Sequence, residues 1–170
     1  MKSKENLVFL GMMGSGKTSI GSIISQKLKI NFIDVDQEIE KKIGMKIHMI
    51  FRKEGEKYFR KIEEDLTLKT LKKNNTVISL GGGAFLNPKI KKQILENHIS
   101  FWLNWEITTL VDRIEKNQKR PIAFNSTRNE LIELIKKRSI VYSKAMYKIE
   151  CENLTKDQIA KNILKIYEAH

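Results

Sequence analysis

Gly11-Met12-Met13-Gly14-Ser15-Gly16-Lys17-Thr18 is the stretch on which the reading of this chain turns. It fits G-x-x-x-x-G-K-[ST] at every position. Directly before it stands the apolar run Leu7-Val8-Phe9-Leu10, which reads as a short buried strand. Directly after it, Lys17 to Lys29 carries Ile20, Ile23, Ile24 and Leu28 on one helical face. Strand, glycine loop and helix together form a mechanism. Glycines let backbone N–H groups turn inward as a nest, and the helix N-terminus adds a favourable potential for anions. Gly14, Ser15, Gly16, Lys17, Thr18 and Ser19 are therefore the expected phosphate contacts, with Lys17 reaching the β- and γ-phosphates and the Thr18 hydroxyl ligating Mg²⁺. The loop predicts binding of a nucleoside triphosphate and leaves the reaction open.

Working outward, Asn31 to Val35 reads as a second strand and Gln37 to Ile43 as a short helix. Gly44 and Gly55 punctuate a helical pattern that continues through Phe59, Ile62 and Leu66. Thr76 to Leu80 is a third strand, stopped by Gly81-Gly82-Gly83. Ile99 to Leu103 is a fourth, and Tyr147 to Glu150 a weaker fifth. Helical stretches lie near 88–96, 107–117, 127–143 and 155–168. Strands alternating with helices predict βαβ units and a parallel sheet covered on both faces. Arg120 to Arg128, with Pro121, Asn125 and Ser126, is the longest segment without periodicity and the expected mobile loop.

The bulk numbers exclude several classes. At 170 residues the chain fits one domain, and 41% hydrophobic residues suffice for one core. No run reaches the ~18–20 apolar residues of a membrane helix. Lys2 and Lys4 before Leu7–Leu10 look briefly like a signal peptide, but the apolar stretch is too short. Cys151 is the single cysteine, so no internal disulfide forms and nothing argues against a reducing cytosol. His48, His98 and His170 lack metal-ligand spacing. The net charge of +12 raises the question of nucleic acid. Of the 32 basic residues, however, 26 are Lys spread over nearly every polar stretch, with no interleaved aromatics to stack bases. A solvated surface that also attracts anionic ATP is the better reading.

Four other places hold unusual residues. Phe32-Ile33-Asp34-Val35-Asp36 sets two acids at i, i+2 at a strand end, and Arg60 falls among apolar helix positions. Gly81-Gly82-Gly83 ends the third strand, and Arg120 and Arg138 flank the loop and a later helix. Each has an ordinary alternative: Asp36 as a helix cap, the arginines as solvated side chains, the glycines as a flexible turn. Ligands of parallel α/β sheets bind beyond the carboxyl ends of strands. The first three strands all end in such a sequence, which favours function.

These motifs resemble those of shikimate kinases over nearly the whole chain: GMMGSGKT at 11–18, FIDVD at 32–36, EGEKYFRKIE at 54–63, VISLGGG at 77–83, KRP at 119–121 and RSIVY at 138–142. The resemblance implies a three-layer α/β/α fold around a five-stranded parallel sheet, of the nucleoside-monophosphate-kinase-like P-loop type. It also implies one domain over 1–170, an acceptor segment about 34–62 and a mobile lid about 112–126. Asp36 would bind the acceptor hydroxyls and act as base, and Asp34 would lie near Mg²⁺ in place of the acid that the third strand lacks, with Ser79 holding a metal-bound water. Arg60 and Arg138 would grip the shikimate carboxylate, for which planar guanidinium forks suit. Gly81, Gly82 and Gly83 would admit the ring closely, Arg120 would contact the ATP phosphates, and Arg113 would stack on adenine. The implied activity is ATP-dependent phosphorylation of the shikimate 3-hydroxyl, in aromatic amino acid biosynthesis, by a cytoplasmic monomer without nucleic acid or membrane partners. Two departures stand out. The lid reads Arg120-Pro121-Ile122-Ala123 where RPLL is common, and Cys151–Thr155 lacks the arginine some members place beside adenine. Gluconate kinases on the same fold, a nucleic-acid-stimulated ATPase and a non-enzymatic nucleotide-binding structural module are the competing readings.

Overall fold

The computed structural model describes residues 5–117 and 126–170. Five strands, β1 (Leu7–Leu10), β2 (Asn31–Asp34), β3 (Thr76–Ser79), β4 (Ile99–Asn104) and β5 (Tyr147–Glu150), form one sheet in the order β2-β3-β1-β4-β5. Every pairing is parallel, with Leu7 beside Val77 on one flank and beside Ile99 on the other. Parallel neighbours need crossovers, and the helices supply them: α1 (Lys17–Leu28), α2 (Val35–Ile43), α3 (Ile47–Leu71), α4 (Pro88–Asn97), α5 (Ile107–Lys116), α6 (Arg128–Tyr142) and α7 (Lys156–Ala169).

Burial on both faces explains why β1 is uniformly apolar rather than alternating: its four residues are all at most 1% exposed. Val8 and Leu10 face a core shared with Ile39, Ile50, Phe59, Ile90 and Tyr142. Leu7 and Phe9 face the opposite core, with Ile20, Ile24, Ile159 and Ile163. Phe9 stacks on Phe101 with ring centroids 5.5 Å apart, and burying each such ring contributes about 1.5–3 kcal/mol.

Local signals set the helix starts. Asn87 caps α4 with Pro88 at its first position, and capping boxes open α6 (Thr127, Glu130) and α7 (Thr155, Gln158). Asp34, not Asp36, caps α2, its carboxylate accepting from Gln37 N at 3.2 Å. The cap falls there because the strand ends one residue earlier than Val35, which opens the helix instead. Within α3 the helical path breaks at Gly55 (φ 84°, ψ 168°), a conformation that glycine adopts without Cβ clash.

The chain moves from β1 outward to β2, returns to β3 beside β1, and then crosses to β4. The reversal sits at the carboxyl end of β1, where open α/β sheets bind ligands. No helix among the described residues is long and apolar enough to cross a membrane.

Candidate active site

The loop between β1 and α1 opens a cavity of about 680 Å³ beyond the strand ends, a volume suited to a nucleotide. Lys17, 7% exposed, donates from Nζ to the carbonyls of Gly11 (2.9 Å) and Met12 (2.8 Å), so the ammonium lies over the loop. Gly14, Ser15, Gly16, Lys17, Thr18 and Ser19 all line this cavity. The Thr18 hydroxyl donates to Asp34 Oδ2 at 2.5 Å, joining the start of α1 to the end of β2. Ser79, at the end of β3, lies buried on the same wall. A hydroxyl and a carboxylate side by side, next to a phosphate nest, form the hard oxygen donor set that suits Mg²⁺.

Arg113, on α5, lies against the loop and donates from Nη1 to Gly14 O at 3.2 Å. Its guanidinium sits 3.7 Å from the ring centroid of Trp105, whose Nε1–H donates to Ser15 O at 2.9 Å. Arg120 lies outside the described residues, as does most of the expected lid. The lid's first residues, 112–116, are the last turn and a half of α5.

A second, smaller cavity of about 30 Å³ adjoins the first, and Met13 and Asp36 line both. Its other walls bring together Arg60, Glu63, Gly82, Gly83 and Arg138, with Ile47, Phe51 and Phe59 as the apolar side. Three elements converge here. Asp36 is in the first turn of α2, Arg60 and Glu63 are one turn apart on α3, and Arg138 is on α6. Arg60 Nη1 donates to Glu63 Oε2 at 2.6 Å and Nε to Glu56 Oε1 at 3.2 Å. The guanidinium also stands 5.2 Å from the Phe59 ring.

The triple glycine fits this crowding. A Cβ on Gly83 would stand 2.5 Å from Arg60 Nη1, and one on Gly81 would stand 2.7 Å from Asp36 Oδ1 and 2.8 Å from Glu63 Oε1. Gly82 O accepts from the Tyr142 hydroxyl, and Arg138, 6% exposed, lies against both. Burial raises the Tyr142 pKa to about 12, with Arg138 opposing the shift. The phenol therefore remains a donor. Burial also raises the Glu63 carboxyl, although Arg60 pulls it back.

Sequence reasoning passed over several of these groups. Glu63 stood inside a quoted motif without a role, although its i, i+3 spacing from Arg60 places both on one helix face. Tyr142 stands at i+4 from Arg138 by the same rule. Leu154, Thr155 and Lys156 line the nucleotide-side cavity, and Lys156 Nζ donates to Ser19 Oγ at 3.3 Å. Nothing in their local pattern points there.

The family model "Shikimate kinase" matches residues 13–168. A shikimate kinase of Thermodesulfovibrio yellowstonii is 38% identical over 165 residues, covering 96% of this chain and 95% of the relative. Among solved structures, shikimate kinase from Acinetobacter baumannii in complex with shikimate aligns with TM-score 0.92 and 29% identity, over 99% of this chain and 95% of that one. A gluconokinase from Sinorhizobium meliloti aligns at TM-score 0.60 with 13% identity, over 99% and 94% of the two chains, and so shares the fold alone. With its phosphate loop, Asp pair, arginines and glycine run gathered at the carboxyl end of the sheet, and with relatives matched over nearly full length, the chain belongs to the shikimate kinase family.

Proposed function

We propose that this chain transfers the γ-phosphoryl group of ATP to the 3-hydroxyl of shikimate, giving shikimate 3-phosphate and ADP. The observation that carries the reading is the position of Asp36, whose side chain borders both the nucleotide-side and the acceptor-side cavity. An acceptor hydroxyl held there faces the terminal phosphate of a nucleotide on the loop.

Phosphoryl transfer depends on positioning and charge neutralisation more than on covalent help. Arg60 and Arg138 supply two planar cations for one carboxylate, and Phe51 and Phe59 give the ring an apolar wall. Asp36 orients the hydroxyl and accepts its proton as the new P–O bond forms. The Lys17 ammonium exchanges its loop carbonyls for phosphate oxygens. By the family resemblance, Arg120 contacts the same phosphates. Thr18 and Asp34 are the residues that would hold Mg²⁺, which when bound neutralises phosphate oxygens.

An acceptor panel tests the proposal. ADP release is followed with shikimate, gluconate and nucleoside monophosphates in parallel, and turnover is expected with shikimate. A chain that releases ADP equally without shikimate, or only with gluconate, overturns it.

A further inference from the structure

Trp105 stands just beyond β4, half-buried, and makes two different contacts on the nucleotide side. Its Nε1–H donates to Ser15 O at 2.9 Å, tying the indole edge to the phosphate loop. Its ring face carries the Arg113 guanidinium at 3.7 Å, which is close stacking. Arg113 is also fixed by its hydrogen bond to Gly14 O. The N-terminus of α5, which delivers Arg113, is itself pinned: Glu152 accepts from Glu106 N at 3.2 Å and from the Thr109 hydroxyl at 2.9 Å. Leu154 and Lys156 line the same cavity.

A guanidinium is planar and has two faces. One is covered by indole, and both groups border the large cavity, so the other face is available to a flat partner within it. Lys17 and the loop line one part of the same cavity, and Trp105, Arg113, Leu154 and Lys156 line the rest of it, where the base of a nucleotide bound through its phosphates comes to rest.

We infer that Trp105 is a positioning residue for the nucleotide base, acting as the backing layer that holds Arg113 flat so that indole, guanidinium and base form a three-layer stack. The inference rests on the proposed ATP site. It adds a role for a residue that touches the loop through its edge and the base only through Arg113. Preorganising the guanidinium lowers the ordering cost of each binding event. The effect falls on the base, not on the phosphates.

The test compares ADP with inorganic pyrophosphate, which uses the loop but has no base. Binding of each is measured by calorimetry for the full chain and for Trp105→Leu, Trp105→Phe and Arg113→Lys. Trp105→Leu is expected to weaken ADP about 10-fold and pyrophosphate much less, and Trp105→Phe, which keeps a ring face, to recover most of the loss. In kinetics the KM for ATP should rise more than kcat falls. Arg113→Lys, which leaves the indole in place, should give the same ADP-selective loss, so the inference stays testable if Trp105→Leu fails to fold. Parallel weakening of ADP and pyrophosphate would reduce Trp105 to a support for the loop through its N–H. Unchanged ADP binding in Trp105→Leu would remove the stack altogether. Were the unaltered chain to bind no ADP, the reading of the whole cavity would fall. Binding and turnover with unselective variants would remove this inference alone.

Discussion

Arg60 and Glu63 form a 2.6 Å ion pair one helical turn apart, and the two partners experience it differently. The guanidinium, its side chain 30% exposed, is raised by Glu63 and Glu56 against the opposing effect of burial. The carboxyl, its side chain only 4% exposed, is raised because burial outweighs Arg60. The pair aims the Arg60 fork at the acceptor cavity and contributes little net stability.

Glu63→Gln separates these effects. The amide keeps the shape but removes the buried charge that partners Arg60, so stability should fall by about 1–3 kcal/mol, read as melting temperature. The KM for shikimate should rise about 10-fold as the fork loses its fixed direction. An unchanged KM would assign Glu63 no part in positioning.

Gly83→Ala probes the same fork from the other side. The new methyl would meet Arg60 2.5 Å from Nη1, so the guanidinium must move. Acceptor affinity should fall about 10-fold or more, while ADP binding, measured separately, should match the parent because the loop lies in the other cavity. Equal loss of ADP binding would show that the change had spread beyond the acceptor side.

Asp36→Asn keeps the size of the side chain at the junction of the cavities and removes its basicity. Turnover should drop roughly 10²- to 10⁴-fold with ATP affinity retained. Near-parental kcat would exclude Asp36 as the base.

The sequence made the sheet legible where burial is two-sided, since β1, β3 and β4 are apolar runs with glycine or a helix behind them. The edge strand β5 read more weakly because Tyr147, Lys148 and Glu150 are not buried. The phosphate loop and the Asp pair were legible because strand ends and spacing carry their meaning. Tyr142 and Trp105 were not, since each takes its role from a partner on another segment, Tyr142 from Gly82 O 60 residues away and Trp105 from Ser15 O 90 residues away, whereas the spacing of Glu63 from Arg60 on one helix did carry a local signal. Local periodicity holds no record of such distances.

Tyr142 gives a pH prediction. Burial pushes its phenol from the ordinary value of 10.0 up to about 12 in the fold. A raised pKa means that the neutral form is favoured in the fold. The stability it contributes is therefore complete below pH 10 and is lost as pH rises toward 12, at about 1.4 kcal/mol per pH unit. Tyr142→Phe should flatten alkaline unfolding across that window relative to the parent, measured by denaturant titration. At pH 7 it should cost about 1–3 kcal/mol, because Gly82 O loses its donor. Identical alkaline slopes would show that Tyr142 does not titrate with unfolding.

The break at Gly55 has a consequence for how this segment tolerates change in length. In an unbroken helix, one added residue would turn everything after it by about 100° and swing Arg60, Glu63 and Thr67 off their faces. Here the path already departs from helical geometry at Gly55, and a Cβ there would meet nothing within 4 Å. An insertion between 52 and 54 can be taken up at that joint, leaving the register of the second half intact.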